Sequence, residues 1–146
     1  MNNPSWILSY RFTGEVIEEL TPILESIQKK LVDIWFSEIF CSLFLEKFFD
    51  EQNYSIEERY AYCLQAQNNK DFFIGFIRSE NPSTWMKMEL EKAIENKQKI
   101  LLLIKEGIEE HHPEFVKSAT YTIKFQTIDD LLHTLSRVEL NAMLSI

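Results

Sequence analysis

Two cysteines in 146 residues, Cys41 and Cys63, are too few for a disulfide framework or a thiolate metal cluster. A reduced, cytoplasmic setting is the simplest expectation. His111, His112 and His133 have no acids or thiols at ligand spacing, so no metal site is expected. The His111-His112 pair before Pro113 reads as a solvated connection. Long apolar runs are missing too. The longest wholly aliphatic stretch, "ILLLI" at 100–104, falls far short of the roughly 20 residues a membrane-spanning helix needs. The opening "MNNPSWILSYRF" has no charged segment followed by an apolar one, so no secretion signal is expected. Positive charge is scarce: 15 Lys and Arg against 23 Asp and Glu give a net charge of −8. The basic residues are scattered singly or in pairs such as Lys29-Lys30, which argues against a nucleic-acid surface built on clustered cations. A local basic pocket for a small anion stays open, because net charge describes the whole surface and not one site.

What is present suits one globular domain over residues 1–146, with 45% apolar and 26% charged residues around a single core. Short apolar runs alternate with segments of helical period. "SWILSY" (5–10) reads as a strand. "GEVIEELTPILESIQKKL" (14–31) reads as a helix, with apolar residues at Val16, Ile17, Leu20, Ile23, Leu24, Ile27 and Leu31 and a kink or break expected at Pro22. The aromatic and β-branched "DIWFSEIFC" (33–41) suggests a second strand, and "SLFLEKFFDEQNY" (42–54) suits a short helix or a Phe-rich lid.

Ser55 and Glu58 form a capping box at the head of a helix over 55–70. "DFFIGFI" (71–77) and "KILLLI" (99–104) are continuous apolar runs, the mark of strands buried on both faces. Ser83 caps a helix over 83–97. A short helix over 113–119, a strand over 120–125 and a helix over 127–140 capped by Thr127 complete the chain. This alternation implies an α/β fold with a mostly parallel five-stranded sheet between two helical layers.

In such sheets ligands bind beyond the carboxyl ends of the strands. "SYRFTGE" (9–15) lies there, offering Ser9, Thr13, the backbone near Gly14, and Arg11 as a partner for phosphate or carboxylate. It is equally a polar connecting loop, and its one Gly falls short of the three in the dinucleotide-binding fingerprint. The Phe-rich stretch after 41 can cover a base or pack on the core. In "NPSTWMKMEL" (81–90), Ser83 and Glu89 lie six residues, about 1.7 turns, apart. Peptide dipoles would keep a carboxylate near that helix start ionised, as attack on the anomeric carbon of an N-glycoside requires. Against this stands the plainer reading of Glu89 and Glu91 as exposed helix acids, with Glu91 and Glu95 flanking Lys92.

"ILSYRFTGE", "FCS" at 40–42, "DFFIGFI" and "PSTWMKMELEKAIENKQKILLLI" together resemble, in order and spacing, the nucleoside 2-deoxyribosyltransferase-like superfamily, which includes deoxynucleoside-monophosphate N-glycosidases. The resemblance covers residues 5–105. It implies a flavodoxin-like three-layer fold, a homodimer, no cofactor, and a nucleoside or nucleotide as the small-molecule partner, with neither nucleic acid nor membrane involved. It implies Glu89 as the catalytic nucleophile. Ser9, Tyr10, Arg11, Thr13, Gly14, Ser83, Trp85 and Met86 become substrate-binding residues, with Ser9 and Arg11 toward the 5′ end or phosphate and Ser83 toward sugar or phosphate. Two departures stand out. Trp85 occupies a position where the family has Gly, and "RYAYCLQ" (59–65) lacks the family's acid partner, with only Glu57 and Glu58 nearby. A weaker resemblance, through "SYR", "TGE", Ser83, Trp85 and Glu89-Leu90, is to Toll/interleukin-receptor-type domains, whose NAD-cleaving members also break an N-glycosidic bond. A nucleotide-binding domain that has lost catalysis is the expectation from a different class.

Overall fold

The computed structural model describes residues 5–11, 16–35, 39–41, 45–81 and 83–137. Five strands, β1 (Trp6–Tyr10), β2 (Ile39–Phe40), β3 (Phe72–Ile77), β4 (Lys99–Lys105) and β5 (Tyr121–Phe125), form one parallel sheet in the order β2-β1-β3-β4-β5. Four of them have five to seven residues, whereas β2 contributes a two-residue edge pairing. The five full strands expected from the sequence are therefore four strands and a stub. All six residues of β3 are buried, as its unbroken apolar run requires of a central strand. Edge strand β5 instead alternates, burying Ile123 and Phe125 while Tyr121 and Lys124 stay exposed.

The helices are α1 (Ile17–Trp35), α2 (Glu46–Glu51), α3 (Ile56–Gln67), α4 (Thr84–Glu95), α5 (Pro113–Ser118) and α6 (Ile128–Arg137). They cover both faces of the sheet. On one face Trp6 and Leu8 of β1 join Leu20, Leu24, Ile27 and Leu31 of α1 and Leu131 and Leu135 of α6. On the other, Ile7 and Phe73 pack with Met86, Leu90 and Ala93 of α4 and Phe115 of α5. The switch of sides between Trp6, Ile7 and Leu8 is the two-residue period of a strand. Among the described residues no helix is long and apolar enough to cross a membrane.

Helix starts follow the expected chemistry. The Ser55–Glu58 capping box closes both ways, with Glu58 N donating to Ser55 Oγ (3.1 Å) and Ser55 N donating to Glu58 Oε1 (3.0 Å). Thr127 Oγ1 accepts from Asp130 N at 3.1 Å, so it caps α6. Four expectations are corrected. Helix α1 continues through 33–35, where a strand was expected, because extending a formed helix adds one hydrogen bond per residue and outweighs weak β preference. It also runs unbroken through Pro22, which removes the break from the expected kink or break and lies early enough that little of the hydrogen-bond ladder precedes it. Val16 and Ile17 are exposed and do not join the apolar stripe. His112 is buried, with Nε2 at 2.7 Å from the Ser79 carbonyl and its ring edge-on to Phe115, so it pins two loops together.

Leu24 is fully buried between α1 and the sheet. Leu24→Ala should lower unfolding free energy by about 2–5 kcal/mol in urea titrations, from lost transfer energy and the cavity left behind. A loss below about 1 kcal/mol would contradict the packing described.

Candidate active site

In a parallel sheet of this strand order the chain reverses its direction of winding between β1 and β3, opening a crevice beyond their carboxyl ends. Ser9 and Tyr10 stand at the end of β1, and β3 leads through residues 78–83 into α4. Ser83 caps that helix, its hydroxyl accepting from Met86 N at 3.3 Å. The second turn of α4 carries Glu89 back toward β1. There Ser9 Oγ donates to Glu89 Oε1 at 3.1 Å, across 80 residues of sequence.

Two buried amides hold this turn in place. Gln67 Nε2, at the end of α3, donates to the backbone carbonyl of Glu89 at 2.7 Å and to Gln98 Oε1 at 3.2 Å. Gln98 Nε2 in turn donates to the carbonyls of Gln67 and Lys70, each at 2.8 Å. The segment bearing the carboxylate is thus tied to the neighbouring helix from below.

Glu89 faces a cavity of about 300 Å³ lined also by Tyr10, Glu46, Phe49, Arg59, Tyr60 and Trp85, with Ser83 and Cys63 at its wall. Burial pushes the Glu89 carboxyl up to about 7, and the Ser9 hydrogen bond offsets this only in part. The expectation of a carboxylate kept ionised by the helix dipole is corrected. Glu89 lies beyond the first turn, where that field is strongest, and desolvation wins. The residue keeps some accessible surface through the cavity, so the carboxyl sits at the floor of an open hollow, not in a sealed core.

The walls are aromatic. Tyr60 and Trp85 stack with their rings 23° from parallel, so Trp85 forms one wall and leaves Glu89 open to the hollow. Phe49, fully buried, packs against Tyr54 and Tyr62 and carries the Arg59 guanidinium 5.7 Å from its ring centre. Arg59 NH1 donates to Glu46 Oε2 at 2.7 Å, NH2 to Asp50 Oδ1 at 2.8 Å, and Nε to the Tyr54 carbonyl at 3.2 Å. The stretch 42–54 therefore supplies a short helix whose Glu46 and Phe49 line the cavity. Sequence reasoning missed Glu46 and Arg59. The signal available was an acid-rich helix ending near a capping box, and nothing in its spacing pointed inward.

Of the residues expected to bind substrate, Tyr10, Ser83 and Trp85 share the cavity with Glu89. Ser9 instead bonds to Glu89 itself. Arg11 is not among the residues that line the cavity. Its NH1 donates to the Asn81 carbonyl at 2.6 Å, and the side chain lines a separate narrow cleft with Ser79, Asn81, Ser83 and His112. Met86 is buried in the core under α4 and also lines that cleft, because helical spacing turns it toward the sheet. Thr13 and Gly14 lie outside the described residues.

The chain aligns with the structure of a CMP N-glycosidase, BcmB, from Clostridium botulinum with a TM-score of 0.65 at 17% identity, covering 90% of this chain and 96% of that one. A 2-deoxyribosyltransferase from Bacillus psychrosaccharolyticus aligns with a TM-score of 0.65 at 16% identity, covering 95% of both chains. The chain shares their fold. No protein-family model and no curated protein sequence matches it.

A carboxyl with its pKa raised from 4.5 to about 7 binds more protons folded than unfolded across that window. Stability should therefore be greatest below about pH 4.5 as far as Glu89 is concerned, and decline as pH rises toward 7. At about 1.4 kcal/mol per pH unit between 4.5 and about 7, the full effect is roughly 3 kcal/mol. Glu89→Gln should lack that decline and melt at a higher temperature than the parent at pH 8, by calorimetry. Parallel pH profiles for the two proteins would contradict the burial described.

Proposed function

We propose that this protein breaks the N-glycosidic bond of a nucleoside or nucleotide, passing the sugar to water or to a second base, with Glu89 as the nucleophile. The observation that carries this reading is a carboxyl, gripped by Ser9, facing a cavity of about 300 Å³ at the switch point of the sheet. That volume lies at the lower end of the range for small-molecule sites. The names of the two fold-sharing structures, an N-glycosidase and a deoxyribosyltransferase, support the same chemistry.

In the ionised form a Glu89 oxygen attacks C1′ as the C1′–N bond breaks, and the electron pair of that bond leaves with the base, which takes a proton from cavity water. The resulting glycosyl ester is opened at C1′ by water or a second base, which gives up its proton to the hydroxide left by the first step and returns the carboxylate. The raised pKa favours this cycle in one respect, since a desolvated carboxylate is a stronger nucleophile than a hydrated one. Ser9 acts on Glu89 by orienting it, whereas Ser83, Tyr10 and Trp85 line the space for the sugar and base. Arg11 supports the loop that leads into α4 through the Asn81 carbonyl.

The test is to incubate the protein with deoxynucleosides, deoxynucleotides and NAD, with and without a second base, and to follow base release. Release from deoxynucleosides or deoxynucleotides is expected, with Glu89→Ala slower by at least about a hundredfold. Release from NAD alone would favour the NAD-cleaving alternative, and saturable binding without release a non-catalytic domain. Because attack requires the ionised form, kcat/KM should fall about tenfold per pH unit below an apparent pKa near 7. A flat profile between pH 5 and 8 would remove Glu89 from the nucleophile's role.

A further inference from the structure

We infer that Glu46 selects the base, favouring nucleosides whose base carries an exocyclic amino group over those with a keto oxygen at the same ring position. This rests on the reading that the cavity holds a nucleoside. Glu46 is the second carboxylate among the residues lining the cavity, brought in by α2 far from Glu89 in sequence. Its Oε2 accepts from Arg59 at 2.7 Å, and its Oε1 has no hydrogen bond from any described residue. With one oxygen held by a guanidinium, Glu46 offers the other as an acceptor.

Three of the five N–H groups of Arg59 donate to Glu46, Asp50 and the Tyr54 carbonyl, and its face lies over Phe49. It works as a clamp that fixes the orientation of Glu46. The end of the cavity formed by α2 and α3 therefore combines an aromatic wall with a held, half-exposed carboxylate: Tyr60, backed by buried Phe49, supplies the flat surface, and Glu46 an acceptor. Aromatic walls accept any base, since every base has a π face. The acceptor discriminates. An amino N–H of a cytosine- or adenine-type base can donate to Oε1, whereas the keto oxygen of a uracil- or hypoxanthine-type base sets lone pairs against a negative charge. A site built to receive a hydrogen bond rejects the analogue lacking the donor, because the site's own polar atom is then left without a partner.

The experiment is calorimetric titration of the Glu89→Gln protein, so that base release does not complicate binding, with the near-isosteric pairs deoxycytidine and deoxyuridine, and deoxyadenosine and deoxyinosine. The amino member of each pair should bind about tenfold more tightly or better. Adding Glu46→Gln, whose amide both donates and accepts, should reduce each ratio to within about threefold. A ligand-side measurement covers the case in which the Glu46 variant does not fold: N4,N4-dimethyldeoxycytidine, which keeps the ring but has no amino N–H, should bind no better than deoxyuridine. Equal binding within the pairs, a preference that survives Glu46→Gln, tight binding of the dimethyl analogue, or no binding of any nucleoside would each overturn the assignment. The outcome is separable from the catalytic reading. A binding preference with no base release by the parent protein leaves Glu46 as base selector and removes Glu89 as nucleophile, and base release without preference does the reverse.

Discussion

The hydrogen bond between Ser9 and Glu89 joins the first strand to the helix after the third, and the site depends on it. Ser9 is almost fully buried, so its hydroxyl needs a partner within the protein. The carboxyl of Glu89 is also stripped of most water and has few groups to repay that loss. Each residue answers part of the other's need, and the answer is incomplete. What remains is a carboxyl whose charge is costly in the empty protein, facing a hollow that a ligand can fill. A fold that tolerates such a cost holds a destabilising group in place by other means.

Those means are visible beneath the site. The Gln67–Gln98 pair ties α3, the Glu89 turn and the approach to β4 into one unit through four hydrogen bonds. Leu90 and Ala93 on the same helix pack against the sheet. Arg11 and His112 fasten the loop before α4, the first through the Asn81 carbonyl and the second through Ser79. Arg11 and His112 thus brace the loop from its two sides. The consequence for function is rigidity: a side chain meant to act on one atom of a substrate has its backbone fixed from three directions.

The opposite end of the cavity has a different construction. Short helix α2 has one fully buried residue, Phe49, and depends on Arg59 of α3 to bind Glu46 and Asp50. The cavity therefore has a firm floor at the sheet and a wall made by an ion-paired helix. The floor bears the carboxyl proposed to react, and the wall bears the carboxylate proposed to read the base. The two acids differ in their surroundings, Glu89 bonded to a hydroxyl at the sheet and Glu46 held by a guanidinium.

Much of the architecture was legible in the residues, for a simple reason. Unbroken apolar runs such as "DFFIGFI" and "KILLLI" have no stable place except inside a covered parallel sheet, and Ser55, Ser83 and Thr127 mark helix starts through local hydrogen bonds that span only three residues. Burial period and capping are short-range, so sequence alone determined them. Ser83 and Glu89 both line one cavity although six residues set them about a third of a turn apart around the helix. What tertiary structure decided was everything carried by long-range approach. It set Ser9 against Glu89 across 80 residues, turned Arg11 and Met86 away from the cavity, and brought Glu46 into it. It also raised the Glu89 pKa, since desolvation is a sum over all neighbours in space, and no stretch of sequence contains those neighbours.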